Sequence, residues 1–318
     1  MRIETTRSAA TVRLQHAAGF YGSDADLLER LVPLAEAALS ADEAVALALR
    51  PATEEALVER LGGTRGLARL HQPDSPDSAC GQTAAARRAL ELRAIIATTG
   101  GPVTVLAEHI SRLDGVDGGF WTELDAALNI ALADLPVRVT CFFPELPLYL
   151  EILDGARRNH PVLLVGGQLH PNPEHMAPRD LLTARPAPAP PLLGPPHLQM
   201  EFSAWQLHEV RRAVEKALVT ADYGRERAED VVLAVNEVAT NAVEHGTPEA
   251  RLSLWTGSDG LVCEIDDGGR LRDPLPGLQA PHPAEARGRG VWIARQVCDS
   301  LHVWADERGT HVRMRATR

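Results

Sequence analysis

The first half of the chain alternates two apolar rhythms. Leu27, Leu28, Leu31, Leu34, Ala35 and Ala38 recur at helical spacing and predict a helix over 27–39. A short all-apolar run, 44–49, follows and stops at Arg50-Pro51. Runs of the same kind recur at 103–107, 137–143 and Val162–Val165, with helical stretches at 84–98 and 121–132 between them. Strands that are apolar on both faces and separated by helices predict a parallel sheet covered on both sides. Ligands of such sheets bind at the carboxyl ends of the strands, which fall here near Arg50, Glu108, Phe143 and Gly166.

The second half follows a different pattern. Two amphipathic helices are predicted at 203–220 and 225–245, then strands at 250–257 and 261–266. A loop rich in proline and glycine fills 268–288. A helix at 290–299 and a closing hairpin, 301–305 with 310–315, complete the chain. This is an α+β pattern, helices on one face of a mixed sheet. Between the halves, 184–197 holds six prolines in fourteen residues. Such a segment is neither helix interior nor central strand and is expected to be a semi-rigid linker. The expected domains are thus 1–183, a linker at 184–199, and 200–318, in keeping with 318 residues.

Composition narrows the functional classes. The net charge is −11 and the pI about 5.6, which gives no general attraction to nucleic acid or anionic lipid. Lys216 is the only lysine, and its neighbours Glu215 and Ala217 rule out a Walker A loop. The strand lysine and catalytic loop of eukaryotic-type protein kinases are absent as well. No stretch is long and apolar enough to span a membrane, and no targeting signal is evident. Cys80, Cys141, Cys263 and Cys298 are scattered, as expected of reduced thiols in a cytoplasmic protein.

Candidate chemistry concentrates after residue 230. On a helix, Val231, Val235, Val238 and Ala242 share one face, while Glu237 and Asn241, four apart, lie together on the other. An amide oxygen can ligate Mg²⁺, and a neighbouring carboxylate can orient or deprotonate a hydroxyl. Asp266-x-Gly268 closes a predicted strand and can set a carboxylate at a pocket edge. Gly288-x-Gly290 opens a helix whose free N–H groups suit phosphate. Gly309-Thr310 opens the last strand. Taken singly, each of these also reads as a solvated helix face or an ordinary turn.

In this order and spacing they resemble the Bergerat, or GHKL, ATP-binding fold of gyrase, Hsp90, MutL and histidine kinases. The wording of 200–318 is similar to the anti-sigma factor/serine kinases of bacterial partner-switching systems. The resemblance implies a two-layer α+β domain binding ATP and Mg²⁺. In it, Asn241 would hold Mg²⁺, Glu237 would be the catalytic base, and Asp266 would meet the adenine amino group above Gly268. Gly288 and Gly290 would contact phosphates, Thr310 would lie at the adenine end, and 270–287 would form the lid. Arg270 stands where a further glycine is common, and Pro274, Pro276, Pro281 and Pro283 stiffen the lid.

The first half resembles the MEDS sensory domain over 11–182, a relative of RecA-like folds without a nucleotide loop. The matching positions are His16, Tyr21, Cys141, His160 and Pro161, and the resemblance implies a small-molecule site at His16, Tyr21, Cys141 and His160. His160, His170 and His175 fit no familiar metal-ligand spacing.

The expected protein is a cytoplasmic, ATP-dependent serine kinase and anti-sigma regulator, gated by its N-terminal sensor. Its partners would be a sigma factor and a STAS-domain antagonist, with no nucleic acid or membrane; a homodimer is an allowed assembly. The alternatives are a non-catalytic ATP-binding anti-sigma module and a degenerate histidine kinase. His208 is the one phosphoacceptor candidate for the last, and it leaves no room for a dimerising hairpin before the ATP domain.

Overall fold

The computed structural model describes residues 13–73, 80–114, 118–146, 148–186, 189–258, 260–279, 281 and 289–318. Gly288 and Pro283, both singled out above, lie outside the described residues.

The first half is a sheet of β1 (Gln15–Tyr21), β2 (Ala44–Ala48), β3 (Leu67–Arg69), β4 (Val103–Glu108), β5 (Val137–Pro144), β6 (Val162–Val165) and β7 (Gln168–Pro171). Its order is β3-β2-β4-β5-β1-β6-β7; all neighbours are parallel except β6 and β7. Helices α1 (Asp24–Ser40) and α2 (Pro51–Leu61) cover one face. Helices α3 (Gly81–Thr99), α4 (Gly119–Ala131), α5 (Leu150–Asn159) and α6 (Pro178–Ala184) cover the other. The two faces form separate cores. Tyr21, Leu47, Leu106 and Phe142 join Leu27 and Leu31 of α1, whereas Ala18, Val105, Cys141 and Phe143 join Leu124 and Leu128 of α4. Side-chain alternation along each strand produces this division.

The second half contains β8 (Leu198–Ser203), α7 (Leu207–Thr220), α8 (Arg225–Asn241), β9 (Glu249–Gly257), β10 (Gly260–Asp267), α9 (Gly290–Val297), β11 (Ser300–Asp306) and β12 (Gly309–Ala316). The sheet order is β11-β12-β10-β9-β8, and every pairing is antiparallel, not mixed as expected. The unexpected β8 begins inside the predicted linker, because Leu198 already pairs with Leu254. Val210, Val214, Val231, Val235, Val238 and Ala294 pack on Leu252, Leu261, Cys263 and Ile265, so the three helices cover a single face. The described linker residues run against the sheet: Trp255 Nε1 donates to Gly194 O at 2.7 Å, and an Arg313 guanidinium N–H donates to Pro191 O at 2.6 Å.

The halves are joined by a buried polar contact at the start of α3. Arg295, fully buried in α9, donates to Gln82 Oε1, to Pro276 O (2.8 Å) and to Leu301 O (3.2 Å). Gln82 Nε2 donates to Pro274 O at 3.0 Å, and Leu301 N donates to Thr83 Oγ1 at 2.9 Å. Leu275 and Leu278 pack into the core of the first half. The 270–279 stretch is therefore fastened to the N-terminal domain and to α9.

Glu123 of α4 sits in this contact and accepts from Gly81 N at 2.9 Å. Burial, with Cys80 beside it, pushes its pKa up to about 7. An acid whose pKa is raised in the fold stabilises while neutral, and that stability is lost as pH rises through the folded value. Stability is thus expected to fall from about pH 4.5 up to about pH 7 on account of Glu123. Urea unfolding of Glu123→Gln against wild type across that range should show the variant losing less with rising pH; parallel curves would refute the assignment.

Candidate functional site

Helix α8 presents Val231, Val235 and Val238 to the sheet, which turns Glu237 and Asn241 toward α9. They meet Gly290 there. A Cβ on Gly290 would lie 2.9 Å from Glu237 Oε2 and 3.1 Å from Asn241 Nδ2, so the glycine lets both side chains close on the start of α9 without shifting. The Glu237 and Asn241 pair and Gly290 of the second glycine motif are thereby brought together. Beyond Asn241 the helix widens into one π-helical turn, Ala242–Gly246, a distortion frequent at functional sites.

Between α8, this turn, the sheet and the 270–277 stretch lies an open cleft of about 650 Å³, within the usual range of ligand sites. Its floor is apolar, with Val238, Ile265, Val303 and Val312; Asn241, His245, Asp267, Arg270, Arg272 and Thr310 bring polar groups to it.

Asp266 does not reach this cleft. On β10, Leu261, Cys263 and Ile265 face the helices, so Asp267 continues on that face and Asp266 points to the other. There Asp266 Oδ1 accepts from Arg251 at 3.0 and 3.2 Å, in a group with Glu264, His311 and Arg313. The carboxylate at the cleft is Asp267. It accepts from Gly269 N at 2.7 Å, and a Cβ on Gly246 would collide with it. Burial pushes the Asp267 pKa up, the neighbouring Asp266 adding to the rise. Thr310 Oγ1 donates to Gly269 O at 3.1 Å, and Gly268 N donates to Thr247 Oγ1 at 3.1 Å. The carboxylate that lines the cleft is thus Asp267, one residue beyond the Asp266 of the sequence reading.

Arg270 and Arg272, which the sequence reading did not assign a role, line the cleft together with Glu244 and Asp273. Their position directly after the glycine motif was the available signal. His208 is exposed on the first turn of α7, with its Nδ1 donating to Trp205 O at 3.1 Å, and belongs to the helix layer of the second half.

The other predicted site residues divide between the two faces of the N-terminal sheet. His16, Cys141 and His160 converge, all buried, together with Asp125 of α4. Tyr21 is not among them. Five residues further along β1, it falls on the α1 face, and its hydroxyl donates to Glu108 Oε1 at 3.3 Å beside Arg50. Nor does the cluster lie at the strand carboxyl ends; it is beneath α4, inside the layer. Burial lowers His16 to about 4 and raises Asp125 to about 8. Burial likewise holds His160 well below, and the Cys141 thiol well above, the ordinary range.

An antiparallel sheet with three helices on one face, and a cleft ringed by a helix asparagine, a strand-end aspartate and glycines at close approaches, defines a nucleotide-binding two-layer domain. Residues 200–316 match the histidine kinase-like ATPase domain family, so the chain carries an ATPase domain of that family. Domains of this family bind ATP, typically with Mg²⁺. A search of curated proteins finds no match to the chain. Among the described residues, no helix is long and apolar enough to cross a membrane.

Proposed function

We propose that residues 200–318 bind Mg-ATP and transfer its γ-phosphoryl group to a serine of a STAS-domain antagonist, while the domain also holds a sigma factor. The observation that carries this reading is the meeting of Glu237 and Asn241 at Gly290 beside the cleft. A cradle that a single Cβ would fill, an adenine-side carboxylate at Asp267 and two cleft arginines suit a nucleotide. Asn241 would hold Mg²⁺, and Glu237 would take the proton of the attacking hydroxyl. ATP supplies the phosphoryl group.

Glu237→Ala is expected to keep ATP affinity and to lose phosphotransfer by about 10²–10⁴-fold, the usual contribution of a general base. Radiolabelled ATP with candidate STAS-domain proteins measures this; equal transfer by variant and wild type would remove Glu237 from the reaction.

The N-terminal domain is the sensor in this reading. What supports it is the fastening of 270–279 to α3, since a ligand that shifts α3 alters the wall of the ATP cleft. A fragment spanning 198–318 retains a complete core of its own and is expected to fold, to bind ATP, and to differ from the full chain in ATP affinity or transfer. An insoluble fragment would contradict the boundary, and identical behaviour would remove the sensory coupling. The second reading, an ATP-binding anti-sigma module without turnover, draws support from the same fastening, and the transfer assay decides between them.

A further inference from the structure

The buried cluster beneath α4 has the chemistry and the wiring of a metal site, and it lies apart from the ATP cleft. Nε2 of His16 and Sγ of Cys141 are 3.4 Å apart, and Nε2 of His160 and Oδ2 of Asp125 are 4.0 Å apart. All four donor atoms lie within 4.8 Å of one another. Zinc bonds of about 2.0–2.3 Å place neighbouring donors of a tetrahedron roughly 3.3–3.8 Å apart, so a small contraction closes the set.

The ring nitrogens are assigned by their partners. His16 Nδ1 faces Asn129 Oδ1 at 3.1 Å, and the Asn129 amide is oriented by donating to Asp125 O (3.1 Å) and Asn159 O (2.8 Å). His16 Nδ1 must therefore carry the proton, which leaves a lone pair on Nε2. His160 Nδ1 donates to Ala156 O at 2.6 Å, with the same result. A histidine that donates its far N–H to an oxygen while aiming the other nitrogen inward is the usual arrangement around a metal. Two of the inward atoms, His160 Nε2 and Asp125 Oδ2, have no hydrogen-bond partner despite full burial. An unpaired buried polar atom is costly, and coordination satisfies both.

The donor set arises from four separate places in the chain. His16 and Cys141 come from adjacent parallel strands, in register so that His16 faces Val139 and Ala18 faces Cys141. Asp125 stands one helical turn before Asn129 on α4, and His160 ends α5. A thiolate and a carboxylate would balance a dication. Arg88, also fully buried, adds a positive charge beside Asp125 and Cys141. A cavity of about 20 Å³ that these three residues share has room for about one water or hydroxide.

We propose that His16, Asp125, Cys141 and His160 bind one zinc ion, tying α4 and α5 to β1 and β5 of the N-terminal domain. The two imidazoles and the thiolate select a borderline metal over Mg²⁺ or Ca²⁺. The site stands whether or not the ATP cleft turns over nucleotide.

The test uses the full chain, stripped with a chelator and titrated with Co²⁺ and then Zn²⁺. The expected result is one metal per chain, a thiolate-to-cobalt charge-transfer band with tetrahedral d–d absorption, and displacement of Co²⁺ by Zn²⁺. Cys141→Ser should abolish the charge-transfer band, and His160→Ala should weaken binding by more than about 100-fold, beyond what outer-shell changes cause. X-ray absorption of the zinc-loaded wild type keeps the test independent of variant folding; it should show one sulfur and three nitrogen or oxygen neighbours. Failure to bind stoichiometric metal, a shell without sulfur, or a cobalt spectrum unchanged by Cys141→Ser in a folded protein would overturn the assignment. ATP binding measured on the same samples separates loss of this site from failure of the nucleotide reading.

Discussion

Asp267→Asn is expected to weaken ATP binding by about 10- to 100-fold, the loss of roughly 1.5–3 kcal/mol for a hydrogen bond to a charged acceptor. The same change at Asp266 should leave affinity within about twofold. The contrast follows from strand parity. Asp267 lies on the helix-covered face with Ile265 and Cys263, and it lines the cleft with Asn241 and Thr310. Asp266 lies on the opposite face, where Arg251 engages it. A partly exposed pair of that kind contributes about 0–1 kcal/mol to stability, so Asp266→Asn should also fold normally. Calorimetric titration of both variants with Mg-ATP measures the contrast. Equal losses, or a larger loss at Asp266, would return the adenine contact to Asp266 and require β10 to slip by one residue.

Arg295→Met should give the largest change in stability, about 3–5 kcal/mol, because removing one partner strands buried polar groups. The guanidinium serves three acceptors: Gln82 Oε1 across the domain boundary, Pro276 O in the 270–279 stretch, and Leu301 O in β11, which also accepts from Cys80 Sγ and Thr83 Oγ1. Methionine fills much of the volume but offers no donor. Gln82→Ala breaks only the contact between the halves, so its cost should be about 1–3 kcal/mol. It should also loosen 270–279, since the Gln82 bond to Pro274 O is lost with it. Urea unfolding gives the stabilities, and hydrogen exchange over 270–279 reports that stretch. An Arg295→Met protein as stable as wild type would mean that the buried arginine adds no net stability to this contact.

Much of the nucleotide domain was legible because its signals are local. The α8 stripe of valines and the pair Glu237 and Asn241 need only helical periodicity to be placed on opposite sides. The cleft carboxylate was legible too. Leu261, Cys263 and Ile265 alternate along β10, and extending that alternation by one step reaches Asp267 rather than Asp266. β8 was missed because its pairing partner, β9, lies some fifty residues away and its own start is masked by the proline run. The antiparallel direction of every pair is likewise a property of partners, not of any one strand.

The N-terminal half behaved otherwise. By itself the sequence determined a parallel sheet with helices between its strands, since runs apolar on both faces cannot lie at a surface. Strand parity alone sets His16 and Tyr21, five apart on β1, on opposite faces, but β1 is apolar at almost every position, so nothing local told which helices would cover which face. Asp125 and Asn129 read as ordinary polar positions of a helix until α4 was laid over β1 and β5. The joining of Gln82 to Arg295 spans 213 positions of sequence. Periodicity acts over a few residues and sets elements and faces. Which buried polar groups meet is decided when distant elements pack and each must find a partner, and that only the tertiary structure decided.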